Sequence, residues 1–150
     1  MKHLKITLLA GLILTASFAT AHDGATGVVK ERMDAMGKIG SYLKSVNAML
    51  RGTATMDLSA IQAAMEDIAM MSNHLPDMFP EGTDAAPSEA GPMIWTDPEG
   101  FKALFEELGT AATIMAASAE SNDTAALGQG FSGVAKTCKG CHSDYRINRD

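Results

Sequence analysis

Apolar residues recur along this chain with the spacing of helices. From about Val28 to Leu50, the residues Val29, Met33, Met36, Leu43, Val46 and Leu50 fall at steps of three, four and seven, one stripe down one helical face. Gly52-Thr53-Ala54-Thr55 interrupts the pattern. Asp57 or Ser59 can then cap a second helix carrying Leu58, Ile61, Met65, Ile68 and Leu75, which Pro76 stops. A third stripe runs through Phe101, Leu104, Phe105, Leu108, Ala112, Met115 and Ala119. It follows Thr96-Asp97-Pro98-Glu99, where Thr96 and Glu99 have the spacing of a capping box and proline sits in the first turn. Asn122 or Asp123 caps a fourth helix, with Leu127, Phe131, Val134, Cys138 and Cys141 on its apolar face. No stretch sustains the two-residue alternation of a strand, so the pattern predicts an all-α fold.

Short hinges join the first helix to the second and the third to the fourth, which makes each pair an antiparallel hairpin. Two such hairpins form an antiparallel four-helix bundle. Between them, Pro76, Pro80, Pro87 and Pro92 with Gly82 and Gly91 mark a long connection that crosses the bundle or covers something. Gly37 and Gly40 weaken the first helix and suggest close packing against its backbone.

The chain begins with a different kind of segment. Met1-Lys2-His3-Leu4-Lys5 is a basic start, residues 6–18 are mostly apolar, and Ala19-Thr20-Ala21 offers small residues where a signal peptidase cuts. That apolar run is about 13 residues, short of the roughly 20 needed to span a bilayer, so cleavage after Ala21 is expected rather than anchoring. The organisation is a signal peptide over 1–21 and a bundle over 22–150, with no membrane insertion once the signal is gone. The segment carries Lys2 and Lys5 and no acid, so its loss takes the formal charge from −6 to −8. So acidic a chain is a poor ligand for nucleic acid. With 46% hydrophobic but only 5% aromatic residues, its core must be built from Leu, Ile, Ala and Met.

Both cysteines of the chain lie in Cys138-Lys139-Gly140-Cys141-His142, the pattern of c-type haem attachment. Two thiols at this spacing can add across the two vinyl groups of one porphyrin, while the next residue reaches the iron with an imidazole nitrogen. Two other chemistries share part of the motif. A redox dithiol belongs beside a βαβ pattern, which is absent, and a zinc site lacks a fourth ligand near His142.

An attachment motif near the C-terminus, on the last helix of an exported bundle, resembles the class II c-type cytochromes, the cytochrome c′ and cytochrome c-556 family. Val29-Lys30-Glu31-Arg32 through Met36, Ile94-Trp95-Thr96-Asp97 through Phe101-Lys102, and Cys138 through Tyr145-Arg146 carry the resemblance. It implies one covalent haem c per chain, thioethers at Cys138 and Cys141, His142 as proximal iron ligand, and a periplasmic location. It makes Met36 the distal residue. In the low-spin c-556 branch, which this chain resembles more, a methionine there is the sixth ligand, whereas c′ members usually leave the iron five-coordinate. Core packing is the alternative for Met36, and Met33, one turn earlier, is the fallback ligand. Arg32 matches an arginine that contacts the haem propionates; a solvated surface arginine is its alternative.

Arg146 can balance haem charge or simply close a helix C-terminus, where a cation is favourable. His74 reads as a C-terminal helix residue, Met70 and Met71 as packing, and Trp95 as an anchor or a cover for the haem edge. His22 at a new N-terminus is a weak candidate for copper. No acid–base pair or nucleophile constellation is present, so an enzyme is not expected. The expected function is single-electron carriage with His/Met axial ligation. The alternative is a five-coordinate protein that binds nitric oxide or another small gas. The redox partner is not named by the sequence, and the family resemblance implies a possible homodimer through the first two helices.

Haem attachment through two thiols takes place outside the cytoplasm, so the mature, haem-loaded protein should begin at His22. Intact mass or N-terminal sequencing checks this; a haem-loaded chain retaining Lys2 and Lys5 would show a tethered form.

Overall fold

The computed structural model describes residues 24–147. Among these residues five α-helices follow one another: α1 (Gly27–Leu50), α2 (Leu58–His74), a short α3 (Met93–Thr96), α4 (Pro98–Glu120) and α5 (Thr124–Asp144). The four long ones form the bundle, and α3 lies in the long connection. Asp57 caps α2 by accepting from the Ala60 N–H at 3.0 Å, and Asp123 caps α5 through the Ala126 N–H at 3.1 Å. Asn122, at φ 58°, turns the chain just before that cap. Two expectations need correction. The capping box at Thr96 and Glu99 is not formed, because Thr96 closes α3 and the cap of α4 is Asp97, which accepts from the Gly100 N–H at 3.2 Å. And α2 ends at His74, one residue short of Leu75, where a 3₁₀ turn over Leu75–Met78 takes in Pro76.

The core lies between α2, α4 and α5. Ile61, Met65, Ile68, Met115, Leu127 and Val134 are fully buried, all at positions of the predicted stripes. Close approach of α4 and α5 depends on absent side chains: a Cβ at Gly130 would stand 3.2 Å from Met115. The same pair meets at Gly133 and Ala111, then at Gly140 and Leu104, an antiparallel register. Phe101 sits at the centre of an aromatic group, its ring 4.9 Å from Phe79, 5.1 Å from Phe105 and 5.3 Å from Tyr145.

Helix α1 behaves differently. Its buried residues are Arg32, Ile39 and Val46, seven apart, while Met33, Met36 and Leu43 of the predicted stripe are only half-buried. It is tied to α2 by Asp67, whose Oδ2 accepts from the Tyr42 hydroxyl at 2.7 Å and pairs with Lys38 at 2.6 Å. The connection between α2 and α4 returns across the open end of the bundle and joins the residues after α5. Gly91 N–H donates to Tyr145 C=O at 2.8 Å, Ile147 N–H donates to Glu89 C=O at 2.9 Å, and Ala90 bridges Arg146. The end of α5 is also fixed from below, where the Tyr145 hydroxyl donates to Asp97 Oδ2 at 2.7 Å.

Gly100 is the hinge point of that lower contact, since a Cβ there would collide with the Asp97 carboxylate and stand 2.5 Å from the Tyr145 hydroxyl. Gly100→Ala should therefore cost about 1–3 kcal/mol, as an overpacked site does. Gly128→Ala, on an exposed helical position with nothing within 4 Å, should instead gain up to about 1 kcal/mol. Urea unfolding of the two variants beside the wild type separates them; equal effects would remove the role given to Gly100.

Candidate functional site

Two adjoining cavities open between α1 and α5. The larger, about 310 Å³, is walled by α1, the long connection and the end of α5; the smaller, about 140 Å³, lies deeper between α1, α4 and α5. Met36, Cys141 and His142 line both. Cys138 joins them in the smaller one, whose wall is otherwise mainly apolar, with Ile39, Leu43, Leu104, Phe105 and Leu108.

The motif occupies the last two turns of α5, so Cys138 and Cys141 project from the same face one turn apart. Both are half-buried and free. Burial raises the Cys138 thiol, and burial, then the charges of Cys138 and Asp144, push Cys141 up to about 11. Reactive dithiols have lowered thiol pKa values, and burial here acts on both cysteines in the opposite direction. His142 is exposed at the cavity mouth. Partial desolvation and then Arg146 hold its imidazole below the ordinary histidine value, with Glu89 acting in the opposite sense. Among the described residues no group of three His, Cys, Asp or Glu is placed to hold a metal ion.

The facing wall is α1, and it explains the half-buried stripe: Met33 and Met36 line the larger cavity, Met36 and Leu43 the smaller. Gly37 and Gly40 face the same spaces, one in each cavity, and a Cβ at either position would meet nothing within 4 Å. The close packing expected at these glycines is therefore not packing of protein. Their missing side chains widen a slot whose walls offer two thiols, an imidazole, a thioether and apolar surface. Those are the donors and the lining that a covalently held haem requires, and the residues fit it.

The long connection covers the larger cavity, as its length suggested. Arg32 fastens it. That side chain is 3% exposed, and its Nη1 donates to Met78 C=O at 3.1 Å and Thr83 Oγ1 at 2.7 Å. Nη2 donates to Ser88 Oγ at 2.6 Å and to Thr83 C=O, and the guanidinium lies 4.5 Å from the Phe79 ring centre. Burial pulls its pKa down, with the charge of Asp84 opposing. The surface-arginine alternative is thus overturned: Arg32 is a buried clasp that still lines the larger cavity. Trp95 anchors the same segment by donating from Nε1 to Phe79 C=O at 2.9 Å and lines neither cavity. His74 is exposed at the end of α2, away from the site, and Met70 is exposed on the same helix. His22 and the cleavage point after Ala21 lie outside the described residues.

Sequence reading singled out none of Phe79, Thr83, Ser88 and Glu89. Each lies in a segment without periodicity, and the only available signal was that the connection is too long to be idle. Glu89 matters most, since its Oε2 accepts from Arg146 Nε at 2.6 Å and both side chains line the cavity beside His142.

Known proteins resemble this chain in sequence and in fold. The family model described as "Cytochrome C'" matches residues 27–146. Cytochrome c′ of Rhodopseudomonas palustris is 36% identical over 148 residues, covering 97% of this chain and 98% of the relative. Cytochrome c-556 of Agrobacterium tumefaciens (strain B2A) is 32% identical over 123 residues, 82% of this chain and 99% of that one. Among solved structures, cytochrome c′ from Rhodopseudomonas palustris superposes with a TM-score of 0.76 at 33% identity, over 84% of this chain and all of that one. The nitric oxide complex of a single-residue mutant of cytochrome c prime from Alcaligenes xylosoxidans gives 0.72 at 28% identity, over 81% and 94%. In sequence and in fold the chain belongs to the cytochrome c′ family, four-helix proteins that carry one covalently attached haem c.

Proposed function

We propose that this protein is a periplasmic carrier of single electrons whose haem iron sits between His142 and Met36, low-spin and six-coordinate. The supporting observation is that a thioether from α1 and an imidazole from α5 line the same two cavities. Bound haem c supplies a one-electron ferric–ferrous couple. The chain supplies the rest. Cys138 and Cys141 hold the porphyrin by thioether links, His142 offers its nitrogen from α5, and Met36 offers sulfur from α1. Arg32 and Arg146, which line the larger cavity, would set positive charge beside the carboxylates of a bound haem, and Ile39, Leu43, Leu104, Phe105 and Leu108 in the smaller one would surround it with apolar surface. A thioether ligand raises the reduction potential and favours electron transfer over gas binding. Export to the periplasm accords with the thiol chemistry and with the signal pattern, and among the described residues no helix is long and apolar enough to cross a membrane. No enzymatic role is assigned.

A second reading is favoured by the names of the relatives, since the nitric oxide complex belongs to a cytochrome c prime of the same fold. In it, Met36 is packing, the iron is five-coordinate and the protein binds a small gas.

Two experiments test the site. Replacing Cys138 and Cys141 together by Ala should yield chain without covalent haem and poorly folded, since the porphyrin is a large part of the apolar interior; haem-stained denaturing gels read this, and a stained double variant would end the haem c assignment to these residues. Met36→Leu should turn a low-spin spectrum high-spin, lower the potential and let carbon monoxide bind the ferrous protein readily. The fold should survive, because this exchange usually costs less than about 1.5 kcal/mol. A wild type that is already high-spin and binds gas freely, unchanged in Met36→Leu, would establish the second reading instead.

A further inference from the structure

The long connection brings one carboxylate to the haem site, and it does so with both backbone and side chain. Glu89 C=O accepts from Ile147 N–H at 2.9 Å, the neighbouring Gly91 N–H donates to Tyr145 C=O at 2.8 Å, and Ala90 bridges Arg146. A Cβ at Gly91 would stand 2.9 Å from the Tyr145 carbonyl oxygen, so the two segments are in close contact. On this platform Glu89 Oε2 accepts from Arg146 Nε at 2.6 Å and also pairs with Nη2 of the same guanidinium. Arg146 follows His142 by four residues, and both members of the ion pair line the cavity that His142 lines. The pair is partly solvated, with side-chain exposures of 45% for Arg146 and 37% for Glu89. By the usual measure of such pairs it adds little to stability, yet it is held from two sides beside the one nitrogen donor of the site.

We propose that Glu89 sets the reduction potential of the haem iron, by placing a carboxylate against Arg146 and offsetting a cation that shares the cavity wall with His142. Ferric iron carries one more positive charge than ferrous, so an unopposed cation near it favours the ferrous state and a carboxylate favours the ferric. Glu89, Arg146 and His142 line one cavity, so both charges lie on its wall with the imidazole. In this proposal Glu89 and Arg146 form no bond to the iron. Each acts through its fixed charge, which makes Glu89 a positioning and tuning residue rather than a ligand. The inference rests on the proposed assignment of His142 as axial ligand and on the iron cycling between two valences. It does not depend on whether Met36 ligates.

Redox titration of the haem-loaded full chain at an electrode with mediators tests this in Glu89→Gln, Glu89→Asp and Arg146→Gln. Glu89→Gln should raise the potential and Arg146→Gln should lower it, each changing the ferrous-to-ferric ratio at a fixed potential about two- to fivefold. Glu89→Asp, which keeps the charge, should stay near the wild type. Both glutamine variants break the same ion pair, so a merely structural strap would move them in the same direction. Shifts of the same sign, no shift in either, or a Glu89→Asp shift equal to that of Glu89→Gln would overturn the proposal. Should Glu89→Gln fail to load haem, a potential in Arg146→Gln at or above that of the wild type overturns it alone. Failure of the electron-carrier reading looks different: a high-spin wild-type spectrum and free gas binding, whatever the order of these potentials.

Discussion

Helix α1 carries an apolar face that the other helices cover only in part. Met33, Met36, Gly37, Gly40 and Leu43 look across a gap at the attachment motif of α5, and the gap is the reason for most of what surrounds it. Three helices share a conventional core; the fourth is held at its buried heptad positions and by the Asp67 contacts with Lys38 and Tyr42. In the proposed assignment, haem held between α1 and α5 would complete the hydrophobic interior there.

An open slot has an end, and the long connection closes it. Covering an apolar cavity with polar backbone requires donors for the carbonyls that face inward, and Arg32 provides several from one side chain. A guanidinium suits the task because its fixed fork reaches carbonyl and hydroxyl oxygens at once. At the other margin the same segment pairs with the residues after α5, so the mouth of the site is framed by one charged residue buried within it and one ion pair facing water.

Much of this was legible in the sequence, and the boundary is physical. The stripes of α2, α4 and α5 named their buried residues because a face packed on protein repeats with the helix. The α1 stripe was read at the same spacing, but its methionines turned out to line a cavity, and Ile39, outside the stripe, was buried instead; periodicity shows that a face is apolar, not what it meets. The motif from Cys138 to His142 was readable because covalent attachment demands fixed spacing. Glu89, Ser88, Thr83 and Phe79 were not, since they act through a segment with no period, in which proximity is set by tertiary pairing. Arg32 was noticed, but its burial was not, because nothing local distinguishes a clasping arginine from a solvated one. The start of α4 shows the same limit on a small scale: the capping box expected at Thr96 and Glu99 gave way to a cap at Asp97, because the short α3 takes in Thr96.

The bonds that close the slot differ from those that build its walls in how far they reach along the chain. Helical bonds join residues four apart, whereas Arg32 bonds to residues 46 to 56 positions away and Glu89 to one 57 away. Contacts of such separation carry the larger cost of loop closure and form after local structure has assembled. The mouth of the slot is thus held by ties between segments far apart in the chain, while each wall is held within its own helix.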